Sequence, residues 1–240
     1  MPESGRPGRV PTVGVLHTVP ALAATFDELI GKAAPGARQL HRDDATLLAD
    51  ARRIGVTPEV SERVERHIRG LIDDGADAVL VTCSSIGEAV EAAAASAGVP
   101  VLRVDEPMAR EAARIAADAG DAAGRPGRIA VLATLEATLG PTGRLIERAA
   151  ADAGGAQVES TVVDDAIEAR ESGDQARHDA LVRDAALEAA AGADVVVLAQ
   201  ASMAAALAGT DLDVPVLTSP PGGVAALAAS IRTPTDSEHL

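Results

Sequence analysis

The chain of 240 residues has no Trp or Tyr, one Phe (Phe26), one Cys (Cys83) and one Lys (Lys32). Each shortage excludes something. Without aromatic side chains there is no platform on which bases could stack, and a net charge of −15 gives no basic surface for a phosphate backbone. Nucleic acid is therefore not an expected partner, and neither is an acidic membrane surface. A single cysteine cannot close an internal disulfide, so the fold does not depend on an oxidising compartment. The start, Met1 to Pro11, is polar and rich in Gly and Pro and has no apolar signal core. No apolar run reaches membrane-spanning length without interruption. The expectation is a soluble, cytoplasmic protein.

Hydrophobic residues make up 47% of the chain, mostly Ala, then Val and Leu, which predicts closely packed helices on a Val/Leu sheet. Short β-rich runs alternate with helical stretches: Thr12–His17, a weaker Ala37–His41, Ala78–Thr82, Val99–Val104, Ile129–Ala133, Gln157–Val163, Val195–Ala199 and Val214–Thr218. Continuous apolar runs such as AVLVT suit strands covered on both faces, and repeated β–helix–β alternation implies right-handed crossovers in parallel sheets. Thr57-Pro58-Glu59 reads as a helix start, followed by Val60, Val64, Ile68, Leu71 and Ile72 on one stripe, with Gly75 as its stop. Further helices are read near 44–54, 86–97, 139–153 and 178–191, with Glu106-Pro107 opening another.

An internal repeat organises the whole. Gly75–Ile86 aligns without gaps on Gly192–Met203, an offset of 117. Val13–Thr18 matches Ile129–Thr134 at 116, and Val99–Leu102 matches Val214–Leu217 at 115. Composition alone makes βα units look alike, but it does not fix one offset, so the chain reads as a tandem duplication. Gly120 to Gly127 is a candidate link. The division drawn is a first half over 12–105, completed by a helix at 219–231, and a second half over 106–218, with flexible tails at 1–11 and 232–240.

Ligands of open parallel sheets bind at the carboxyl ends of strands, where helix starts offer free N–H groups. Those ends carry His17-Thr18, Cys83-Ser84-Ser85 and Asp105-Glu106 in one half, and Thr134, Gln200-Ala201-Ser202 and Ser219 in the other. Small and hydroxyl-bearing residues suit a carboxylate cradle. With the halves facing each other, a small anion would lie between Cys83 and Gln200. Cys83 reads as a base or nucleophile, its pKa lowered by the helix start behind it, rather than as a buried small hydrophobe. His17 is a candidate general acid or orienting group. His41, His67, His178 and His239 show no metal-ligand spacing, so no metal is expected. No GxGxxG or P-loop lysine motif supports a nucleotide cofactor. Ala-rich helices with few aromatics leave a homo-oligomeric interface as an expectation.

The segments LVTCSSIG (80–87), VPVLRVDEPM (99–108), IAVLAT (129–134) and VVVLAQASM (195–203) resemble the aspartate/glutamate/hydantoin racemase superfamily. The resemblance implies an α/β fold of two pseudo-symmetric flavodoxin-like, three-layer halves with the site between them. It implies cofactor-independent chemistry in which one cysteine from each half flanks the substrate α-carbon. Cys83 falls on the first cysteine, and Thr18, Ser84, Ser85 and Thr134 fall in loops that hold the substrate carboxylate. Gln200 stands where the second cysteine would be, and an amide does not titrate near neutrality. The substrate-binding set expected is Thr18, Ser84, Ser85, Thr134, Gln200, Ala201 and Ser202, with selectivity set near Val19, Leu135, Glu136 and Met203. An isomerase or racemase acting beside the carboxylate of a small amino acid or dicarboxylate leads the readings. A one-cysteine decarboxylase or lyase and a non-catalytic binder of small acids remain as alternatives.

Overall fold

A computed structural model describes residues 9–232; the outer parts of both expected tails (1–8 and 233–240), and with them His239, lie outside the described residues. Two four-stranded parallel sheets share one topology. The first holds β1 (Thr12–His17), β2 (Arg38–Asp43), β3 (Ala78–Val81) and β4 (Val101–Arg103) in the order β2-β1-β3-β4. The second holds β5 (Arg128–Ala133), β6 (Gln157–Val162), β7 (Val195–Leu198) and β8 (Val216–Thr218) in the order β6-β5-β7-β8. The inner strands β1, β3 and β7 are buried along their whole length, as their continuous apolar runs require. The ladders repeat as well: Val13 pairs with Ala78 as Ile129 does with Val195, and Val79 pairs with Val101 as Val196 does with Val216.

The helices are α1 (Ala23–Ala33), α2 (Ala45–Ile54), α3 (Pro58–Asp73), α4 (Gly87–Ala94), α5 (Glu106–Ala123), α6 (Glu136–Asp152), α7 (Ala166–Glu171), α8 (Gln175–Ala190) and α9 (Ser219–Ile231). Thr57 caps α3 through Val60 N, and Gly75 leaves it at φ +96° with the Ala76 amide bonded back to Leu71 O, as the start and stop signals predict. One layer of the first half packs α3 and α4 on Leu16, Val79 and Val81. On the other face Val13, Val15 and Leu80 meet Phe26 and Ile30 of α1, together with Val224 and Leu227 of α9. In the second half α5 and α6 cover Ile129, Val131 and Val197, while α8 covers Ala130, Leu132 and Val196.

The last helix of each repeat is therefore exchanged. Helix α5 follows β4 of the first sheet but packs on the second, and α9 follows β8 of the second sheet but packs on the first. The chain crosses between sheets at Val104-Asp105, not at the Gly120–Gly127 stretch. Gly120 lies inside α5, and a Cβ on it would sit 2.5 Å from Gly127 N; a Cβ on Gly127 would sit 1.9 Å from Ala116 O. These glycines permit close backbone contact rather than a flexible link.

Four other readings are corrected. Helix α6 begins at Glu136, a turn before the expected start, so Pro141 lies within it. The helix expected over 86–97 is a 3-10 turn at Ser84–Ile86 followed by the shorter α4. Helix α7 was not anticipated, although good helix formers stand there between Asp164-Asp165 and Ser172-Gly173. Within the expected N-terminal tail, Arg9 pairs with Asp77 and Pro11 O accepts from Arg38 N at 2.9 Å. Among the described residues, no helix is long and apolar enough to cross a membrane.

Candidate active site

The carboxyl ends of β1 and β3 face those of β5 and β7 across a cavity of about 330 Å³. Strand β3 ends one residue before Thr82, and the chain turns through Cys83 into the 3-10 segment Ser84–Ile86. Strand β7 ends at Leu198 and turns through Gln200 into a second 3-10 segment, Ala201–Leu207. Cys83, Ser84, Ser85, Thr18, Gln200, Ala201 and Ser202 all line the cavity. Hydroxyls of Thr18 and Ser85, and the amides of Ser85 and Ile86, surround the Cys83 sulfur. These donors favour a thiolate, but burial is the larger influence and the thiol pKa lies above its usual value. The expectation of a lowered pKa is thus overturned. The helix behind the sulfur opens as a three-residue 3-10 turn, and Cys83 is partly buried in the cavity wall.

Gln200 is held rather than free. Its Oε1 accepts from Thr134 N at 2.6 Å and from Thr134 Oγ1 at 3.1 Å. Its Nε2 is left as the donor end of the amide. Thr134 itself is buried and does not line the cavity, and it meets the cavity wall through Gln200. The two halves are joined at the site by Ser85 Oγ and Thr138 Oγ1, 3.1 Å apart, with Thr138 supplied by the early first turn of α6. Beyond it, Arg144 donates to Glu88 at 2.7 Å and Arg148 to Glu91 at 2.8 Å, binding α6 to α4.

His17 is not in the cavity. It is fully buried, with Nδ1 3.0 Å from Thr82 Oγ1 and Nε2 2.9 Å from His41 Nδ1. Burial, reinforced by the neighbouring His41 charge and opposed by Asp43, lowers its pKa to about 4. The expected direct acid role is corrected accordingly, because an imidazole with both nitrogens engaged behind the cavity wall cannot touch a ligand. Of the selectivity positions, Val19 and Leu135 line the cavity; Met203 is buried in the core of the second half, and Glu136 opens α6 outside it.

Sequence reasoning missed the charged rim. Arg52 of α2 and Arg170 and Glu171 of α7 line the cavity, and Arg52 donates to Glu171 at 3.1 Å across the two halves. Ile167 adds an apolar wall from the same short helix. Charges on exposed helix faces carry no sequence mark distinguishing a cleft from open solvent, so only the topology brings them together. Among the described residues, no group of three His, Cys, Asp or Glu side chains is placed to hold a metal ion.

A family model described as Asp/Glu/Hydantoin racemase matches residues 14–227. The chain belongs to this family. No curated protein matches it. Among solved structures it is similar to a glutamate racemase from Bacillus anthracis (19% identity, TM-score 0.65, 91% of this chain and 80% of that one). It is also similar to the aspartate racemase of Picrophilus torridus (14%, TM-score 0.65, 92% and 94%). An arylmalonate decarboxylase is a further likeness (18%, TM-score 0.54, 93% and 94%). At these identities the likenesses establish the fold, and the family membership of the chain makes a racemase-type isomerase its coarse class.

Proposed function

We propose that this family member is a cofactor-independent isomerase or racemase acting at a carbon beside the carboxylate of a small amino acid or dicarboxylate, with Cys83 as base or nucleophile. The observation that carries the reading is the position of Cys83. It is the one thiol of the chain, it stands at the carboxyl end of an inner strand between the two halves, and it faces a non-titrating amide. Ser84, Ser85, Ala201 and Ser202 supply a cradle of amides and hydroxyls for a carboxylate, and Gln200 Nε2 adds a neutral donor to developing enolate charge. Arg52 and Arg170 give the cavity two cations in a chain of net charge −15, which supports an anionic ligand.

One observation favours a second reading. A thiol with a raised pKa is protonated at rest, as a decarboxylase or lyase needs for delivering a single proton to a carbanion. The two readings give opposite pH profiles. If thiolate is the active form, turnover climbs as pH rises toward the raised thiol pKa; if thiol is, turnover falls through it.

The test incubates a panel of amino acids and dicarboxylates in heavy water and follows deuterium at the α-carbon, stereochemistry and carbon dioxide release. Cys83-dependent exchange without fragment release supports the isomerase. Release without racemisation supports the second reading. Neither, with ligand-dependent thermal stabilisation retained in Cys83→Ser, would leave a binding protein.

A further inference from the structure

Gln200 leaves the cavity with one titrating side, and behind the wall on that side lies a pair of histidines, His17 buried and His41 partly exposed. Thr82 lines the cavity beside Cys83, and its Oγ1 is 3.0 Å from His17 Nδ1. His17 Nε2 is 2.9 Å from His41 Nδ1, and His41 Nε2 is 3.1 Å from Gln39 Oε1 at the surface side of β2. The two rings are 2° from coplanar with centroids 5.2 Å apart, one ring radius on each side of the N–N line, so they meet edge to edge along the hydrogen bond. Phe26, the only aromatic of the chain, packs against His17 with centroids 5.7 Å apart and helps fix that ring.

The polarity of this chain has two self-consistent forms. Gln39 Nε2 donates to Asp27 O at 3.1 Å, which fixes Oε1 as the end facing His41. In the outward form Thr82 donates to His17 Nδ1, His17 Nε2–H donates to His41 Nδ1, and His41 Nε2–H donates to Gln39. In the inward form Thr82 turns its proton to Leu16 O, 3.2 Å away, or to a group in the cavity. His17 Nδ1–H then donates to Thr82, and His41 Nδ1–H donates to His17 Nε2. With Nε2–H still donating to Gln39, His41 then carries both protons. The inward form holds one proton more than the outward form, carried on His41, so a proton taken from solvent at His41 turns His17 and Thr82 from one form to the other.

We propose that Thr82, His17 and His41 form a proton route between the Cys83 side of the cavity and solvent, which reloads the one titrating side of the site. This rests on Cys83 chemistry as the reading of the cavity. In the outward form a cavity group gives a proton to Thr82, Thr82 gives its own to His17 Nδ1, His17 gives Nε2–H to His41, and His41 releases Nε2–H to solvent. In the return step solvent protonates His41 Nε2, and protons pass His41 to His17, His17 to Thr82 and Thr82 to the cavity acceptor. The balance is one proton out and one in, with no redox change. The charged groups facing the pair are Asp27 of α1, whose Oδ1 is 3.7 Å from His41 Nε2, and Asp43 at the end of β2. The neutral state of His17, set by burial, lets it pass a proton without trapping the charge.

The route requires a tautomer switch at His17 together with a rate of proton delivery that depends on His41. Long-range proton–nitrogen spectra of the labelled protein should show His17 as the Nε2–H tautomer at alkaline pH and as the Nδ1–H tautomer once His41 is protonated. Thr82→Val should hold His17 in the Nε2–H tautomer throughout. With any panel substrate turned over in heavy water, His41→Ala should slow proton delivery roughly 10²-fold, and added imidazole should restore it. One His17 tautomer at all pH values overturns the route, as does full turnover by His41→Ala. Failure of the wild type on every substrate instead sinks the Cys83 reading and with it the route, whereas turnover by the wild type with full turnover by His41→Ala sinks the route alone.

Discussion

The two halves share strand order, ladder register and even a polar clamp at the strand starts, yet differ where the third strand ends. In the first half the turn carries Cys83 and leads into the eight-residue α4, bound to α6 by Ser85, Glu88 and Glu91. In the second half the turn carries Gln200 and leads only into the 3-10 segment Ala201–Leu207, and the repeat offset falls from 117 to 115. The sheets are constrained by burial on both faces, so duplication preserves them. The loops at the strand ends are not, and there the copies diverge into a titrating side and a hydrogen-bonding side. The largest test of that asymmetry is a pair of substitutions. Cys83→Ser should lower turnover roughly 10²–10⁴-fold, the range for a lost proton-transfer group. Gln200→Ala should cost about tenfold, the worth of one hydrogen bond to developing charge. Equal losses in steady-state assays would mean that the halves contribute alike.

A second divergence is structural. Arg103 and Asp105 form a buried two-pronged pair, Nε to Oδ1 at 2.9 Å and the terminal nitrogen to Oδ2 at 2.8 Å, at the point where the chain crosses to the other sheet. At the same repeat spacing the second half has Thr218 and Pro220. Removing one partner leaves an uncompensated buried charge, so Asp105→Ala should destabilise by about 3–5 kcal/mol. A Tm drop of roughly 10 °C is the expected reading for a chain of this size. A change below about 1 kcal/mol would show that Glu91, which also accepts from Arg103, suffices alone.

Packing distance gives a smaller contrast. Gly14 of β1 faces Leu71 of α3, and a Cβ there would lie 3.0 Å from Leu71 Cβ. Its repeat partner is Ala130, whose methyl fits under α8 in the core of the second half. Helix α3 therefore lies closer to its sheet than α8 does. Gly14→Ala should cost about 1–2 kcal/mol by overpacking in chemical denaturation. A neutral result would mean that α3 can retreat to the spacing of its counterpart.

Much of this was legible beforehand. Inner strands announce themselves by uninterrupted apolar runs, and the fixed offset joined them into two copies; Thr57-Pro58 and Gly75 bounded α3 by local chemistry alone. The site residues at the ends of β3 and β7 follow from the same reading. The rest depends on contacts far apart in sequence. His17 looks like a strand-end ligand group, but β1 is an inner strand, so even its last side chain is enclosed, and its partner His41 lies on β2. Arg52 and Glu171 are ordinary helix charges until the two halves face each other.

The smallest expected effect tests the feature the halves hold most nearly in common. Asp77 accepts from Thr12 N at 2.7 Å and from Arg9, and Asp194 accepts from Arg128 N at 2.8 Å and from both terminal nitrogens of Arg125. Each carboxylate ties the start of an inner strand to the segment before it. The hydrogen bonds of Arg125 hold the Asp194 carboxyl below its usual pKa. A carboxylate with a depressed folded-state pKa contributes stability that is present above its unfolded value and is lost as pH falls through the folded one. Asp194→Asn should therefore cost about 1 kcal/mol at neutral pH, and the gap from wild type should shrink below about pH 4. Asp77→Asn should cost less, because Arg9 is 68% exposed where Arg125 is 37% exposed, and solvent screens the more open pair. Urea titrations of both variants across acid pH would measure this, and a larger loss at Asp77 would reverse the ranking of the two clamps.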